Sequence, residues 1–107
     1  MSKLFLKENP VLNDYQQYLR DLVKERGFQD ETLPELFMLL SEEVGELAKA
    51  ARKYTNIKSD ENSHKPEVDL EAADVFMYLL DICNYLNVDL EKAFRDKEEI
   101  NKKRVWK

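Results

Sequence analysis

The stretch ELFMLLSEEVGELAKAARKY, residues 35–54, decides the fold. Successive residues of an α-helix are rotated by about 100°, and at that spacing the apolar residues of this stretch gather on one side. The apolar stripe consists of Leu36, Leu40, Leu47, Ala51 and Tyr54. Thr32 precedes it as an N-cap, and Glu35 follows three residues later, as in a capping box. The stretch therefore predicts a long amphipathic helix that begins after Thr32 and ends near Tyr54.

Three other stretches also have helical periodicity and recognisable ends. They predict a first helix from Asn13 or Asp14 to Gly27, a third from Glu67 to Leu86 and a fourth from Leu90 to Lys103, with Asp89 as the N-cap of the fourth. The polar segment TNIKSDENSHKP, residues 55–66, predicts a loop between the second and third helices. Four helices of this kind pack most simply as a bundle.

The composition agrees with a helical fold. A length of 107 residues suits one domain, which we expect to span residues 1–107. Two glycines and three prolines are too few for a loop-rich or all-β design. We therefore expect an all-α, four-helix bundle-like fold. Because so small a domain buries a modest fraction of its surface, we also expect its core to be shared across a homo-oligomer.

The charge and the cysteine count restrict partners and location. A net charge of −5 disfavours a nucleic-acid-binding surface, although carboxylates that hold a divalent cation can still bind a nucleotide. Cys83 is the single cysteine and cannot form an internal disulfide, which fits a reducing cytosol. No apolar run approaches a membrane span, and no signal peptide is visible at Met1–Leu6. We expect a cytoplasmic protein without a membrane partner.

The second helix carries carboxylates where its apolar side should be. Glu43 falls inside the apolar stripe, Glu46 lies at its edge, and Glu42 points toward the polar side. Burial of an unpaired carboxylate costs several kcal/mol unless something compensates for it. An ordinary solvated charge is therefore not expected at Glu43.

The third helix repeats the pattern. Glu71 projects between Val75 and Tyr78, with Asp74 beside it. The apolar stripe of this helix consists of Val68, Ala72, Val75, Phe76, Leu79, Cys83 and Leu86. If the two helices pack together, four carboxylates converge, and a hard cation such as Mg²⁺ or Mn²⁺ relieves their repulsion. The alternative is two solvated helix faces, since such spacings arise often among 22 acidic residues. Because both acidic pairs lie within or beside an apolar stripe, the pattern favours a cation site over two solvated helix faces.

The two stretches LSEEVGELAKA, residues 40–50, and LEAADVFMYLL, residues 70–80, together resemble the MazG-like, all-α nucleoside triphosphate pyrophosphohydrolases. The signature EExxE, a spacer and ExxD corresponds to Glu42, Glu43 and Glu46, then Glu71 and Asp74. The short single-domain form, with its dCTP pyrophosphatase-like members, is most similar, and the likeness extends to NVDLEKAFRDKEEINKKR, residues 87–104. The resemblance implies Mg²⁺-dependent hydrolysis to a monophosphate and pyrophosphate, possible use in nucleotide house-cleaning, and a homodimer or homotetramer.

The resemblance also implies roles for individual residues. Glu43, Glu46, Glu71 and Asp74 match the metal ligands, and Glu42 and Glu43 match the catalytic acidic residues. Lys97, Asn101, Arg104 and Tyr78 match residues that contact the phosphates, sugar or base. Helical geometry independently places the first three with Leu90 and Phe94 on the inward face of the fourth helix, although Lys97 and Arg104 could simply extend past apolar neighbours, and Tyr78 could be core. Phe28 stands where relatives often have tryptophan, which leaves the base preference open.

Two other classes remain open at the level of sequence. A ferritin-like di-iron protein needs two Glu-x-x-His pairs on helices, and this chain has one, Glu61-x-x-His64 in the polar loop. A non-enzymatic helical module that binds nucleotides or other proteins could also keep these carboxylates. Release of pyrophosphate with Mg²⁺ separates the hydrolase from both.

Overall fold

A computed structural model describes residues 1–55 and 67–105. These residues form four α-helices and no strand, so the predicted all-α class is confirmed. The helices are α1 (Leu12–Arg26), α2 (Leu33–Thr55), α3 (Val68–Tyr85) and α4 (Leu90–Lys102). Each end lies within about two residues of its predicted position, which is the usual uncertainty of a helix boundary.

The helix ends have the capping residues that the sequence predicts. Gly27 ends α1 with φ 73°, a left-handed conformation that glycine adopts without strain. At the start of α2, the Glu35 N–H donates to Thr32 Oγ1 over 3.3 Å, and the Thr32 N–H donates to Glu35 Oε1 over 3.2 Å. Asp89 accepts from the Lys92 N–H over 3.1 Å at the start of α4. Local side chains therefore set where these helices begin and end.

The described chain divides into two compact units. The first consists of Met1–Asp30 and Leu80–Lys107, and the second consists of Glu31–Leu79. In the first unit α1 contacts α4. Its buried apolar residues are Leu19, Leu22, Leu80, Ile82 and Cys83. Burial raises the pKa of the Cys83 thiol, as expected for a small core residue.

A buried amide organises the first unit. Gln16 is 2% exposed, and its Nε2 donates to Asn84 Oδ1 over 2.9 Å and to the Val88 carbonyl over 2.8 Å. Its Oε1 accepts from the Leu90 N–H over 3.0 Å, and Asn84 Nδ2 donates to the Gln16 carbonyl over 2.9 Å. The side chain thereby ties α1 to the joint between α3 and α4. We call these contacts the Gln16 network.

The second unit contains α2 and residues 68–79 of α3 and has few buried residues. Leu36 is 2% exposed and Ala50 is buried, while the predicted stripe residues Ala51 and Tyr54 are exposed. Other large apolar side chains of this unit are also exposed: Phe37, Met38, Val44, Leu70, Met77 and Leu79. The predicted apolar stripe of α2 is therefore exposed at its last two residues, Ala51 and Tyr54.

The structure corrects the prediction of an inward face on α4. No residue of α4 is buried, and Phe94, which was expected to point inward, is 67% exposed. The helix carries charged residues around most of its circumference, so few positions can pack against α1. Phe94 instead lines an open cavity of about 410 Å³ together with Leu12 and charged residues of α4.

Within the residues that the structure describes, none of the helices combines the length and the apolar character needed to cross a bilayer.

Candidate metal centre

Three carboxylates of the second unit meet between α2 and α3. Glu43 extends from α2, and Glu71 and Asp74 extend from α3. One carboxylate oxygen of each residue lies within 4.8 Å of the corresponding oxygens of the other two. We call these three residues the carboxylate cluster. Two helices thus bring together acidic residues that are 28 or more positions apart in the sequence.

Helical periodicity explains why Glu43 faces the interior of this unit. Glu43 lies seven residues after Leu36 and seven before Ala50, both of which are buried. Seven residues are almost two full helical turns, so the three side chains share one side of α2. On α3, Glu71 and Asp74 are three residues apart and therefore lie on neighbouring turns of one face. Glu43 and Glu71 are half-buried as a result.

The environment of Glu43 opposes its negative charge. Loss of solvation by burial is the main cause that raises the pKa of Glu43 above its ordinary value of 4.5. The negative charges of Asp74 and Glu71 raise the pKa further, and Glu46 and Glu42 add smaller contributions. Among the described residues, no lysine or arginine forms an ion pair with the carboxylate cluster. Within residues 1–55 and 67–105, the charge of the cluster is therefore not neutralised by an ion pair.

The two remaining acidic residues of α2 lie outside the cluster. Glu46 and Glu42 are exposed, and the group of three close oxygens does not include them. Their charges still act on Glu43. The ligand role of Glu46 and the catalytic role of Glu42 stay predictions. Within the described part of the chain, the structure adds no further histidine, cysteine or acidic residue to the cluster.

The donor set of the cluster fits a hard divalent cation. Mg²⁺ binds oxygen at about 2.0–2.1 Å, so oxygens on opposite sides of the ion are about 4 Å apart and adjacent ones about 3 Å. A limit of 4.8 Å between the oxygens is close enough that small side-chain rotations would bring them to these distances. Three carboxylates without nitrogen or sulfur suit Mg²⁺ or Mn²⁺ better than zinc or copper.

The other predicted site residues are spread over both units. Tyr78 belongs to the second unit and is half-buried. Lys97, Asn101 and Arg104 belong to the first unit, where Asn101 is half-buried and the other two are exposed. Their contacts with a substrate stay predictions. The pair Glu61 and His64 of the di-iron alternative lies outside the described residues.

The protein is thus all-α, and its carboxylate cluster offers only oxygen atoms as candidate ligands. The chain is 36% identical over 62 residues to the dATP/dGTP diphosphohydrolase of Cyanophage S-2L. The matched segment covers 58% of this chain and 56% of that protein, so the chain spans about half the length of this curated relative. No protein-family model matches the sequence.

Proposed function

We propose that this protein is a nucleoside triphosphate pyrophosphohydrolase of the MazG-like type. It hydrolyses a (deoxy)nucleoside triphosphate with Mg²⁺, or Mn²⁺ in its place, and releases the monophosphate and pyrophosphate. The carboxylate cluster carries the proposal, because its oxygens lie within 4.8 Å of one another and no cationic side chain of the described chain pairs with them. A triphosphate with its divalent cation supplies the positive charge that such a site lacks.

The comparison supports the same reaction class. The similar protein from Cyanophage S-2L is named for the hydrolysis of dATP and dGTP, and we propose that this chain also acts on nucleoside triphosphates. Purine deoxynucleotides are therefore the first substrates to test. Nucleotide house-cleaning is the biological role that we propose for such an activity.

The acidic residues of the second unit have two proposed roles, as metal ligands and as a proton acceptor. Glu43, Glu71 and Asp74 would hold a divalent cation, and Glu46 would extend the ligand set from the exposed edge of α2. Such a cation would supply charge neutralisation to the phosphates and would lower the pKa of an attacking water. Glu42, or one of the ligand carboxylates, accepts the proton of that water.

The substrate-binding part of the proposal involves polar and cationic side chains near the end of α4. Lys97 and Arg104 stabilise negative charge on the phosphates, and Asn101 binds the phosphates or the sugar. Tyr78, half-buried on α3, contacts the base or the sugar. These assignments rest on the MazG-like motif.

The test is an assay of monophosphate and pyrophosphate release by the purified protein over canonical and modified dNTPs and NTPs, with and without Mg²⁺. We expect equimolar monophosphate and pyrophosphate, with dATP and dGTP among the substrates, and no product in EDTA. Release of orthophosphate, or of a nucleoside with triphosphate, would contradict the proposed bond cleavage.

The same assay separates the alternatives. A helical module without catalytic activity would bind nucleotide and release nothing. A di-iron protein would contain iron by metal analysis and would show oxidase activity in place of pyrophosphate release.

A further inference from the structure

The short joint between α3 and α4, residues 86–89, sets the direction in which α4 leaves α3. Asn87 in this joint has φ 56°, a left-handed conformation that lets the chain turn at the end of a helix. No residue of α4 is buried. Packing in the core therefore contributes little to holding α4 in one direction, and the hydrogen bonds at the joint matter more.

One side chain holds the polar groups that the joint does not pair within α3. The Val88 N–H donates to the Cys83 carbonyl over 2.8 Å and so belongs to the end of α3. The Val88 carbonyl and the Leu90 N–H, in contrast, are hydrogen-bonded to the two polar atoms of the Gln16 side chain. A buried amide that donates and accepts at the same time needs both partners in fixed positions. Gln16 therefore keeps the joint and the first residue of α4 in one arrangement relative to α1.

A small change in the direction of α4 grows toward its far end. Asn101 lies about 16 Å from Leu90 along the helix axis, so a rotation of about 10° at the joint would move it by about 3 Å. The same rotation would move Lys97, which is nearer the joint, by about 2 Å. The larger displacement is as long as a hydrogen bond, so a contact between Asn101 and a bound phosphate or sugar would be lost.

We propose that Gln16 is a positioning residue for substrate binding: through the Val88 carbonyl and the Leu90 N–H, it keeps α4 in the direction in which Lys97 and Asn101 can contact a nucleoside triphosphate. This inference rests on the proposed function, which assigns substrate contacts to α4. Without Gln16, α4 takes several directions, and only a fraction of the molecules is ready to bind. The apparent affinity then falls by that fraction, while bound substrate selects the competent direction and the saturated rate is kept.

The test compares kcat and KM of the full chain for dATP, dGTP or whichever triphosphate the parent hydrolyses fastest, well below the melting temperature of every variant. Gln16→Leu removes the side-chain hydrogen bonds of Gln16 and should raise KM by about 10-fold, with kcat within about twofold of the parent. Leu22→Ala is the matched control, because Leu22 is buried on the same helix and its truncation lowers stability without removing a member of the Gln16 network. It should keep the KM of the parent.

A second variant, Leu90→Pro, breaks the network from the α4 side and keeps the test decisive if Gln16→Leu does not fold. Proline is favoured at the first residue of a helix, and Asp89 before it already has the extended backbone that a following proline prefers. The proline ring takes the place of the hydrogen that Gln16 Oε1 accepts, so the amide must move away. We expect the helical content of the parent and the same rise in KM.

The freedom of α4 can also be measured without substrate. Nitroxide labels on Lys24→Cys in α1 and Glu98→Cys in α4, both exposed positions, report the distance between the two helices by pulsed electron resonance. Labelled protein is diluted into unlabelled protein, and Cys83 can stay because it is buried. The distance distribution should be broader in Gln16→Leu than in the parent. Equal widths would contradict the claim that Gln16 holds α4.

The outcomes separate this inference from the proposed function. A parent chain that releases no pyrophosphate from any triphosphate would contradict the proposed function and, with it, the role of Gln16. An active parent whose Gln16→Leu and Leu90→Pro variants both keep its KM would contradict this inference alone. An equal rise of KM in Leu22→Ala would also overturn it, because Gln16 would then act only through stability.

Discussion

Gln16 in the first unit and Glu43 in the second are both polar side chains on the apolar side of a helix, but their surroundings differ. Gln16 is 2% exposed, and both polar atoms of its side chain have protein partners in the Gln16 network. Glu43 is half-buried, and its neighbours are the like charges of Asp74 and Glu71. A satisfied buried amide stabilises a fold, whereas a crowded carboxylate lowers stability until something outside the chain neutralises it. The contrast distinguishes a polar group that has its hydrogen-bond partners inside the fold from one that we propose is neutralised by a cation.

The largest expected effect concerns the carboxylate cluster. Asp74→Asn removes one charge from the proposed ligand set and should lower the rate of pyrophosphate release by about 1000-fold, because a bound ion would lose one of its anchors. Asp69→Asn is the matched control, since Asp69 is exposed on the same helix and outside the cluster. Its rate should stay within about twofold of the parent. Equal rates for the two variants would remove Asp74 from the chemistry.

The Gln16 network predicts a large effect on stability. Gln16→Leu leaves the Val88 carbonyl, the Leu90 N–H and Asn84 Oδ1 without their side-chain partner, at a cost of about 2–4 kcal/mol. The melting temperature should fall by about 10–20 °C for a domain of this size. Gln17→Leu is the control, because Gln17 bonds only to exposed neighbours in α1. A melting temperature unchanged in Gln16→Leu would mean that the network contributes nothing.

Glu43 should affect how the stability of the metal-free protein depends on pH. Its folded pKa lies above the ordinary 4.5, so between these two values the folded protein binds more protons than the unfolded chain. Stability in EDTA should therefore fall as the pH rises through this window, and the full cost of the charge should be present above it. Glu43→Gln removes the cost, so at pH 8 in EDTA it should melt about 2–5 °C higher than the parent.

Addition of Mg²⁺ should reverse the order of the melting temperatures of the parent and Glu43→Gln. The parent gains stability from a bound ion, and Glu43→Gln gains less because it lacks one ligand. A Glu43→Gln variant that melts below the parent in EDTA would show that the ionised carboxylate stabilises the fold, contrary to this account.

A comparison of two helix N-caps tests whether polar groups of the second unit lack stabilising partners in general or only at the carboxylate cluster. Thr32→Ala removes the N-cap of α2 and should cost about 1 kcal/mol, the usual value for such a cap. Asp89→Ala, which removes the N-cap of α4 in the first unit, should cost a similar amount. Similar melting shifts would confine the difference between the units to Glu43 and its neighbours.

The sequence predicted the helices well because their signals are local. Thr32 with Glu35, Gly27 and Asp89 set helix ends through contacts within a few residues. The partial burial of Glu43 also followed from periodicity alone, because Leu36 and Ala50 recur at the same spacing. The same argument could have found Gln16, which lies among the apolar residues of α1, but its partners Asn84 and Val88 are about 70 residues away.

Periodicity failed where exposure depends on what covers a helix. The pattern of α4 predicted an inward Phe94, and the pattern of α2 predicted a covered Tyr54; both are more than half exposed. A helical pattern gives the side on which a residue lies, and only the packing of distant elements decides whether that side is covered. The single-domain organisation, the cytoplasmic location and the roles of Lys97 and Arg104 stay predictions.

A titration of the metal-free protein with Mg²⁺ by isothermal calorimetry tests the central claim most directly. The account predicts saturable binding that Asp74→Asn abolishes and Asp69→Asn preserves. Absence of binding at millimolar Mg²⁺, or equal binding by the parent and Asp74→Asn, would contradict the claim that the carboxylates of α2 and α3 form a cation site.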